Sequence, residues 1–219
     1  MRWLLLTHCS DRSQLELAER VLPAWRDAFP GATCVVGIPA PLHDRAAQSF
    51  IADHCLSAGR SFGDFYTEQL AEREFDAAIL FAPYALPADW LAGSVAAWLK
   101  TFSLIGRYKL PRVLSMEKIL GLTLIAPNIV ELGRLRMDFV VVRSDLKPFA
   151  DCRLYEQWIG SEVLVRARPA TMLLYSALRA GAAILTLPDN CHPVRFLLSQ
   201  QDFQRWKVER AKTKGRRSP

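Results

Sequence analysis

The sequence lacks the features that mark a disulfide-rich, metal-stapled or membrane-spanning chain. No apolar run approaches the roughly 18 residues that cross a bilayer as a helix. The five cysteines are an odd number without a CxxC pair, and there are four histidines. This usage is typical of a reducing compartment, so we expect a cytoplasmic protein with no membrane span and no disulfide framework. The pairs His54-Cys55 and Cys191-His192 form no metal half-site, because adjacent residues point in different directions, and we expect no bound metal.

The positive charge is confined to one end of the chain. The formal net charge is +6, and residues 205–219 alone contain seven basic residues and one acidic residue. Residues 1–204 are therefore close to neutral. We predict a single α/β domain over 1–204 and a basic C-terminal tail over 205–219. The tail is either a contact for nucleic acid or protein, or a solvated terminus.

Short apolar segments alternate with amphipathic segments, and 51% of the residues are hydrophobic. This pattern predicts a three-layer, doubly wound, mostly parallel sheet in a single domain. We expect strands near 2–7, 33–38, 76–82 and 119–126 to be parallel neighbours, with further strands at 139–142 and 183–187. The predicted helices cover 14–29, an irregular stretch over 44–74, a segment around 90–102, and 169–180.

The loops that follow the strands are the first places to look for a site, because ligands of doubly wound sheets bind beyond the carboxyl ends of the strands. The loop from Thr7 to Gln14 has hydroxyl groups, backbone N–H groups at a helix start, and Arg12. These groups could cradle a phosphate. The loop has no glycine, so it is neither a Walker loop nor a dinucleotide fingerprint. The alternative is an ordinary capped turn.

Five segments share one resemblance: Ser10–Gln14, Phe29–Ala32, Phe75–Pro83, Trp90–Lys100 and Leu154–Gly160. They resemble segments of flavodoxin-like, FMN-dependent NAD(P)H:quinone oxidoreductases and azoreductases. The resemblance implies an FMN cofactor, NAD(P)H as reductant, a quinone or azo substrate, and a homodimer. It places the flavin phosphate on Ser10, Arg12, Ser13 and Gln14, and the flavin ring beside Tyr84 and Asn128. The chain departs from the family at both ring loops, which here read Pro83–Pro87 and Pro127–Val130.

Two other functions stay open. The segment Met137–Asp145 resembles the part of metal-dependent sugar-nucleotide glycosyltransferases in which aspartates hold a divalent metal on the diphosphate. Asp145 is then either a metal ligand or a strand-end cap. The third hypothesis is a non-catalytic interaction module whose pocket is filled by Tyr84, Leu86 and Trp90, with the basic tail as its contact.

Overall fold

The computed structural model describes residues 1–42, 52–57, 61–108, 122–126, 129–132, 135–159, 163–167, 169–188 and 190–215. In chain order the strands and helices are β1 (Trp3–His8), α1 (Arg12–Ala28), β2 (Thr33–Ile38), β3 (His54–Ser57), α2 (Phe62–Glu72), β4 (Ala77–Phe81), β5 (Ala85–Pro87), α3 (Leu91–Trp98), β6 (Leu104–Tyr108), β7 (Leu122–Ala126), β8 (Ile129–Leu132), β9 (Leu135–Arg143), β10 (Tyr155–Ile159), β11 (Val163–Ala167), α4 (Pro169–Arg179), β12 (Ile184–Leu187), β13 (Val194–Phe196) and α5 (Gln200–Gly215). Short 3-10 helices cover Ala40–Leu42 and Ser144–Phe149. No helix among these residues is both long enough and apolar enough to cross a membrane.

A seven-stranded sheet with the order β12-β6-β9-β4-β1-β2-β3 forms the centre of the domain. Strand β9 runs antiparallel to both of its neighbours, β4 and β6. The other pairs in this sheet are parallel. The predicted mostly parallel sheet in a single α/β domain is therefore confirmed, and so is the pairing of 2–7 with 33–38 and with 76–82.

Helices cover both faces of the central sheet, because successive side chains of each buried strand point to opposite faces. Leu4 and Leu6 of β1 pack in one cluster with Leu70 of α2 and Leu173 of α4. Leu5 packs on the other face, in a cluster with residues of α1 and α3. The three layers are thus α1 and α3, the sheet, and α2 and α4.

Helix α1 begins at the first loop, Ser10–Gln14, and its other end packs against the small β-ribbon formed by β5 and β13. The side chain of Asp11 accepts a hydrogen bond from the Gln14 backbone and caps the helix start. Gly31, with a φ of 77°, lies just beyond the helix end, where the backbone takes the left-handed conformation that glycine adopts most easily. Near that end the Trp25 indole donates to the carbonyl of Ala85 at 2.7 Å, which holds β5 against α1.

Two sequence predictions differ from the structure. Residues 122–126 form β7 of a separate four-stranded sheet, β10-β11-β8-β7, so they are not a parallel neighbour of the first strands. The strand predicted at 139–142, for which no direction was predicted, is confirmed within β9 and runs antiparallel. The irregular helix predicted over 44–74 contains strand β3, and only Phe62–Glu72 of the described residues in that stretch is helical. Apolar periodicity shows that a segment is buried, but it does not show the direction or the partner of a strand.

The C-terminal region is helical across the predicted boundary at 204/205, since α5 spans Gln200–Gly215. The division into a domain over 1–204 and a tail over 205–219 stays a prediction.

Candidate functional site

The central sheet has two ends, and we name them by the parallel strands. At the carboxyl edge strands β1, β2, β4 and β6 end and the antiparallel β9 begins. At the amino edge those four strands begin and β9 ends. Register places Phe139 of β9 opposite Phe81, the last residue of β4, so Asp138 lies at the carboxyl edge.

A buried ion pair lies at the carboxyl edge. Arg107 Nη1 of β6 and Asp138 Oδ2 of β9 are 3.4 Å apart, and their side chains are only 7% and 8% exposed. The backbone carbonyl of Asp138 also accepts a hydrogen bond from Ala82, the first residue after β4. A buried ion pair adds little net stability, because desolvation offsets its Coulomb energy. Its position, where ligands of such sheets bind, makes it the leading candidate for the polar centre of a site.

The first loop, Ser10–Gln14, is closed by its own hydrogen bonds. The Ser10 backbone N–H and hydroxyl both donate to Gln14 Oε1, at 2.7 Å and 3.0 Å. The Ser13 hydroxyl donates to Asp11 Oδ1 at 2.7 Å. The exposed Arg12 pairs with Glu16 at 2.9 Å. The structure therefore brings Ser10, Arg12, Ser13 and Gln14 together at one helix start. Their role as a phosphate cradle stays a prediction.

The other two predicted site residues do not join this loop. The Tyr84 ring lies in an aromatic cluster. Its centroid is 5.6 Å from the ring centroid of Phe196, 4.9 Å from that of Phe203 and 5.9 Å from that of Trp206. It thereby connects the segment after β4 to the β5–β13 ribbon and to α5. Asn128 lies outside the described residues. Trp90, proposed to fill a pocket, is 45% exposed and contacts Trp98 edge to face.

His8, the last residue of β1, is a carboxyl-edge residue that the sequence analysis did not select. Its ring lies 5.7 Å from the ring of Phe65 and 6.1 Å from that of Phe62, both in α2. Burial lowers the pKa of His8 to about 4, so the imidazole is neutral at physiological pH. A Cβ at Gly37 in β2 would lie 2.8 Å from His8 Cδ2, so the glycine makes room for this ring. The sequence signal was a histidine at a strand end, but its burial depends on α2.

Asp145 lies at the amino edge, away from the carboxyl edge. Its Oδ2 accepts hydrogen bonds from the Ser103 hydroxyl and from Arg143 Nη2, both at 2.7 Å. The bond from Arg143 holds the pKa of Asp145 below its usual value. Because β9 is antiparallel, a residue that follows this strand emerges at the end of the sheet opposite to Asp138. Of the two alternatives for Asp145, metal ligand and strand-end cap, these bonds and its place at the amino edge favour the cap.

The described residues form no ready cluster of metal-ligand side chains. Among them, no group of three or more histidine, cysteine, aspartate or glutamate side chains is placed to share an ion. The positions directly after β4 are Ala82, Pro83 and Tyr84. We therefore assign no step to a metal.

Solved structures that share this fold include transferases of activated sugars and of nucleotides. A mannosyltransferase from Pyrobaculum calidifontis, in complex with GDP-Man and Mn2+, aligns with a TM-score of 0.55 and 14% identity over 100% of this chain and 65% of that chain. The bifunctional IspDF from Campylobacter jejuni aligns with a TM-score of 0.57 and 10% identity over 93% of this chain and 54% of that chain. The 4-diphosphocytidyl-2C-methyl-D-erythritol synthase from Anaerococcus prevotii aligns with a TM-score of 0.54 and 6% identity over 93% and 95%. This chain thus spans about two thirds and about half of the first two chains. The sequence matches no family model and no curated protein.

These comparisons correct the resemblance to FMN-dependent oxidoreductases, which is wrong. The FMN cofactor, the oxidoreductase activity and the NAD(P)H reductant are withdrawn with it. The segments that carried the resemblance are short pieces of common α/β secondary structure. In this chain the side chains of Ser10–Gln14 bond to one another at the start of α1, where the Asp11 carboxylate is the cap.

Proposed function

We propose that the chain is a transferase that uses a nucleotide-activated sugar as its donor and binds the nucleotide at the carboxyl edge. The observation that carries this proposal is the buried Arg107–Asp138 pair, which lies at that edge in a fold shared with transferases of activated sugars and nucleotides. The alignment with the mannosyltransferase, which extends over the whole chain, supports the sugar nucleotide as donor.

Arg107 and Asp138 suit two parts of a sugar nucleotide. A guanidinium binds phosphate oxygens through paired N–H groups, and a carboxylate accepts hydrogen bonds from sugar hydroxyls. Each side chain holds the other in place, since they contact at 3.4 Å. We assign one phosphate of the diphosphate to Arg107 and a sugar or ribose hydroxyl to Asp138.

The first loop supplies the second half of the proposed site. Ser10, Arg12, Ser13 and Gln14 stand at the start of the 17-residue helix α1, where backbone N–H groups favour an anion. Arg12 reaches a phosphate once it leaves Glu16. Both side chains of that pair are largely exposed, and such pairs contribute under about 1 kcal/mol. We assign the second phosphate to this loop.

Nucleotidyl transfer is the second candidate, and the extent of one alignment supports it. The alignment with the Anaerococcus synthase covers 93% of this chain and 95% of that chain. The two reactions differ in their products. Sugar transfer releases a nucleoside diphosphate, whereas nucleotidyl transfer from a nucleoside triphosphate releases pyrophosphate.

The test is a binding panel of GDP-mannose, UDP-N-acetylglucosamine and CTP, each with Mn2+ or Mg2+, followed by titration calorimetry. A ligand at 100 times its Kd raises the free energy of unfolding by about 2.7 kcal/mol, which a thermal shift detects. We expect a sugar nucleotide to give the largest shift. Arg12→Ala should weaken its binding by about one to two powers of ten, since a charge-assisted contact contributes on the order of 1.5 to 3 kcal/mol. Arg20→Ala, an exposed change in the same helix, is the matched control. Preference for CTP with pyrophosphate release would establish the second candidate, and no shift with any nucleotide would refute both.

A further inference from the structure

Helix α5 is anchored to the domain by its aromatic residues. Phe203 stacks on Phe196 of β13 with centroids 5.8 Å apart and planes 5° apart, and it contacts Tyr84 at 4.9 Å. Trp206 stacks on Phe203 at 5.5 Å. Ser199 caps the helix start, because its Oγ accepts from the Asp202 backbone N–H at 3.1 Å. The first two turns of α5 are thus held on the domain.

The part of α5 beyond this anchor carries the positive charge of the protein. The net charge of +6 is that of residues 205–219. Five of the seven basic residues in that range lie within the helix, which ends at Gly215: Arg205, Lys207, Arg210, Lys212 and Lys214. The helical stretch 205–215 is about 16 Å long, which is roughly the length of five base pairs of a duplex. The chain therefore presents a short, strongly basic helix that is fixed at one end.

We propose that α5 binds the phosphate backbone of a double-stranded nucleic acid without base specificity. Single strands are bound mainly by bases stacking on aromatic side chains, but the α5 aromatics Phe203 and Trp206 are already stacked within the cluster on the domain. The same packing engages Phe203 and Trp206, two of the three large apolar side chains of α5, so only the exposed Val208 is left for insertion into a bilayer. Recognition by charge alone remains, and a duplex offers a dense and regular line of phosphates.

The experiment measures the anisotropy of a fluorescein-labelled duplex of about 20 base pairs, titrated with the full-length protein at about 50 and 200 mM salt. We expect micromolar binding at the lower salt, with a slope of log K against log salt near −3 to −4, which corresponds to about four neutralised phosphates. The triple variant Lys207→Gln/Arg210→Gln/Lys212→Gln should bind about tenfold or more weakly, and the slope should become shallower by about 2 to 3.

A second triple variant, Arg20→Gln/Lys100→Gln/Arg179→Gln, removes the same charge from exposed positions on the rest of the domain. Its binding should stay within about twofold of the wild type, because a contact of this kind is local to α5. Circular dichroism melts of both triple variants confirm that they fold. Equal losses in the two variants, tighter binding of a single strand than of the duplex, or binding of phosphatidylserine vesicles with no binding of the duplex would each overturn the proposal.

Discussion

The ion pairs near strand β9 differ in burial between the two edges of the central sheet. At the amino edge the pairs Arg2–Asp76, Lys147–Glu74 and Arg143–Asp145 span 2.7 to 3.5 Å, and at least one partner of each is well exposed. At the carboxyl edge Arg107 and Asp138 are both buried. Strand β9 joins the two edges, since Asp138 lies near its start and Asp145 follows its end. Two aspartates seven residues apart thus lie in different environments, since the side chain of Asp138 is buried and that of Asp145 is partly exposed. We take the buried carboxylate as the candidate binding group and the exposed one as a surface cap.

Removing one buried partner should have the largest effect. Asp138→Leu leaves the guanidinium of Arg107 buried without that carboxylate, and we expect the free energy of unfolding to fall by about 3 to 5 kcal/mol. Urea unfolding measures this change. The double variant Arg107→Met/Asp138→Leu should regain most of the loss, because an apolar pair fills a similar volume without buried charge.

The double variant also separates structure from function. If the pair binds a sugar nucleotide, the stable double variant should lose that binding by tenfold or more in calorimetry. Unchanged affinity in a well-folded double variant would mean that the pair is structural, and the proposed site would have to move.

A glycine pair tests how closely the chain packs beside the carboxyl edge. A Cβ on Gly63, in the first turn of α2, would lie 2.2 Å from the carbonyl oxygen of Cys152, which is backbone and cannot rotate away. We expect Gly63→Ala to cost about 2 to 3 kcal/mol, in the range for overpacking. In Gly93→Ala, the control in α3, the new methyl group meets nothing within 4 Å and should stabilise the protein by about 0.5 to 1 kcal/mol. A melting temperature for Gly63→Ala at or above that of the wild type would show that the α2 contact is looser than described.

The neutral imidazole of His8 makes stability depend on pH. Its pKa is about 4 in the folded protein and near 6.5 when unfolded, so between these values the unfolded chain binds a proton that the folded protein does not. The free energy of unfolding should therefore fall as the pH falls from about 6.5 to 4, by on the order of 2 to 3 kcal/mol. Unfolding curves of His8→Asn across this range should lose that slope, whereas the exposed control His192→Asn should keep it. A slope that survives in His8→Asn would assign the titration to another group.

The smallest effect should come from the amino edge. Asp145→Asn removes the charge that pairs with Arg143, but both side chains are partly exposed, so we expect a loss of under about 1 kcal/mol. Binding of a sugar nucleotide should not change, because Asp145 lies at the opposite end of the sheet. A weaker nucleotide affinity in this variant would contradict the contrast between the two edges.

The first half of the fold could be predicted from the sequence because its signals are local. Strands β1, β2 and β4 are short apolar segments bounded by turns, and Asp11 caps α1 next to the predicted helix start. The direction of β9 could not be predicted, because Phe139–Val142 reads as a buried strand whichever way it pairs. The position of Asp138 depends on that direction. The acid at the carboxyl edge was therefore missed, and Asp145 was selected in its place.

The predicted site shows the same division between local and distant contacts. Ser10–Gln14 were correctly placed at a helix start because the loop makes its hydrogen bonds within five residues. Tyr84 was assigned to a ligand, but its ring partners Phe196, Phe203 and Trp206 lie more than 100 residues further along the chain. No local sequence pattern predicts contacts between residues so far apart in the chain.

The reversed strand β9 also determines the order in which the sheet can be assembled during synthesis. Strands β1 to β4 can pair as soon as they leave the ribosome, but β6 has β9 and β12 as its neighbours and cannot attach to β4 directly. Until residues 135–143 emerge, one edge of β4 has unpaired backbone N–H and C=O groups, and all of its side chains are apolar. Such an edge can pair with other chains. We expect chains that end before Leu135 to aggregate during expression, and chains that extend past Arg143 to aggregate less, as size-exclusion chromatography can show. Strand β9, which contributes Asp138 to the proposed site of the folded protein, would then also protect the edge of β4 from aggregation in the nascent chain.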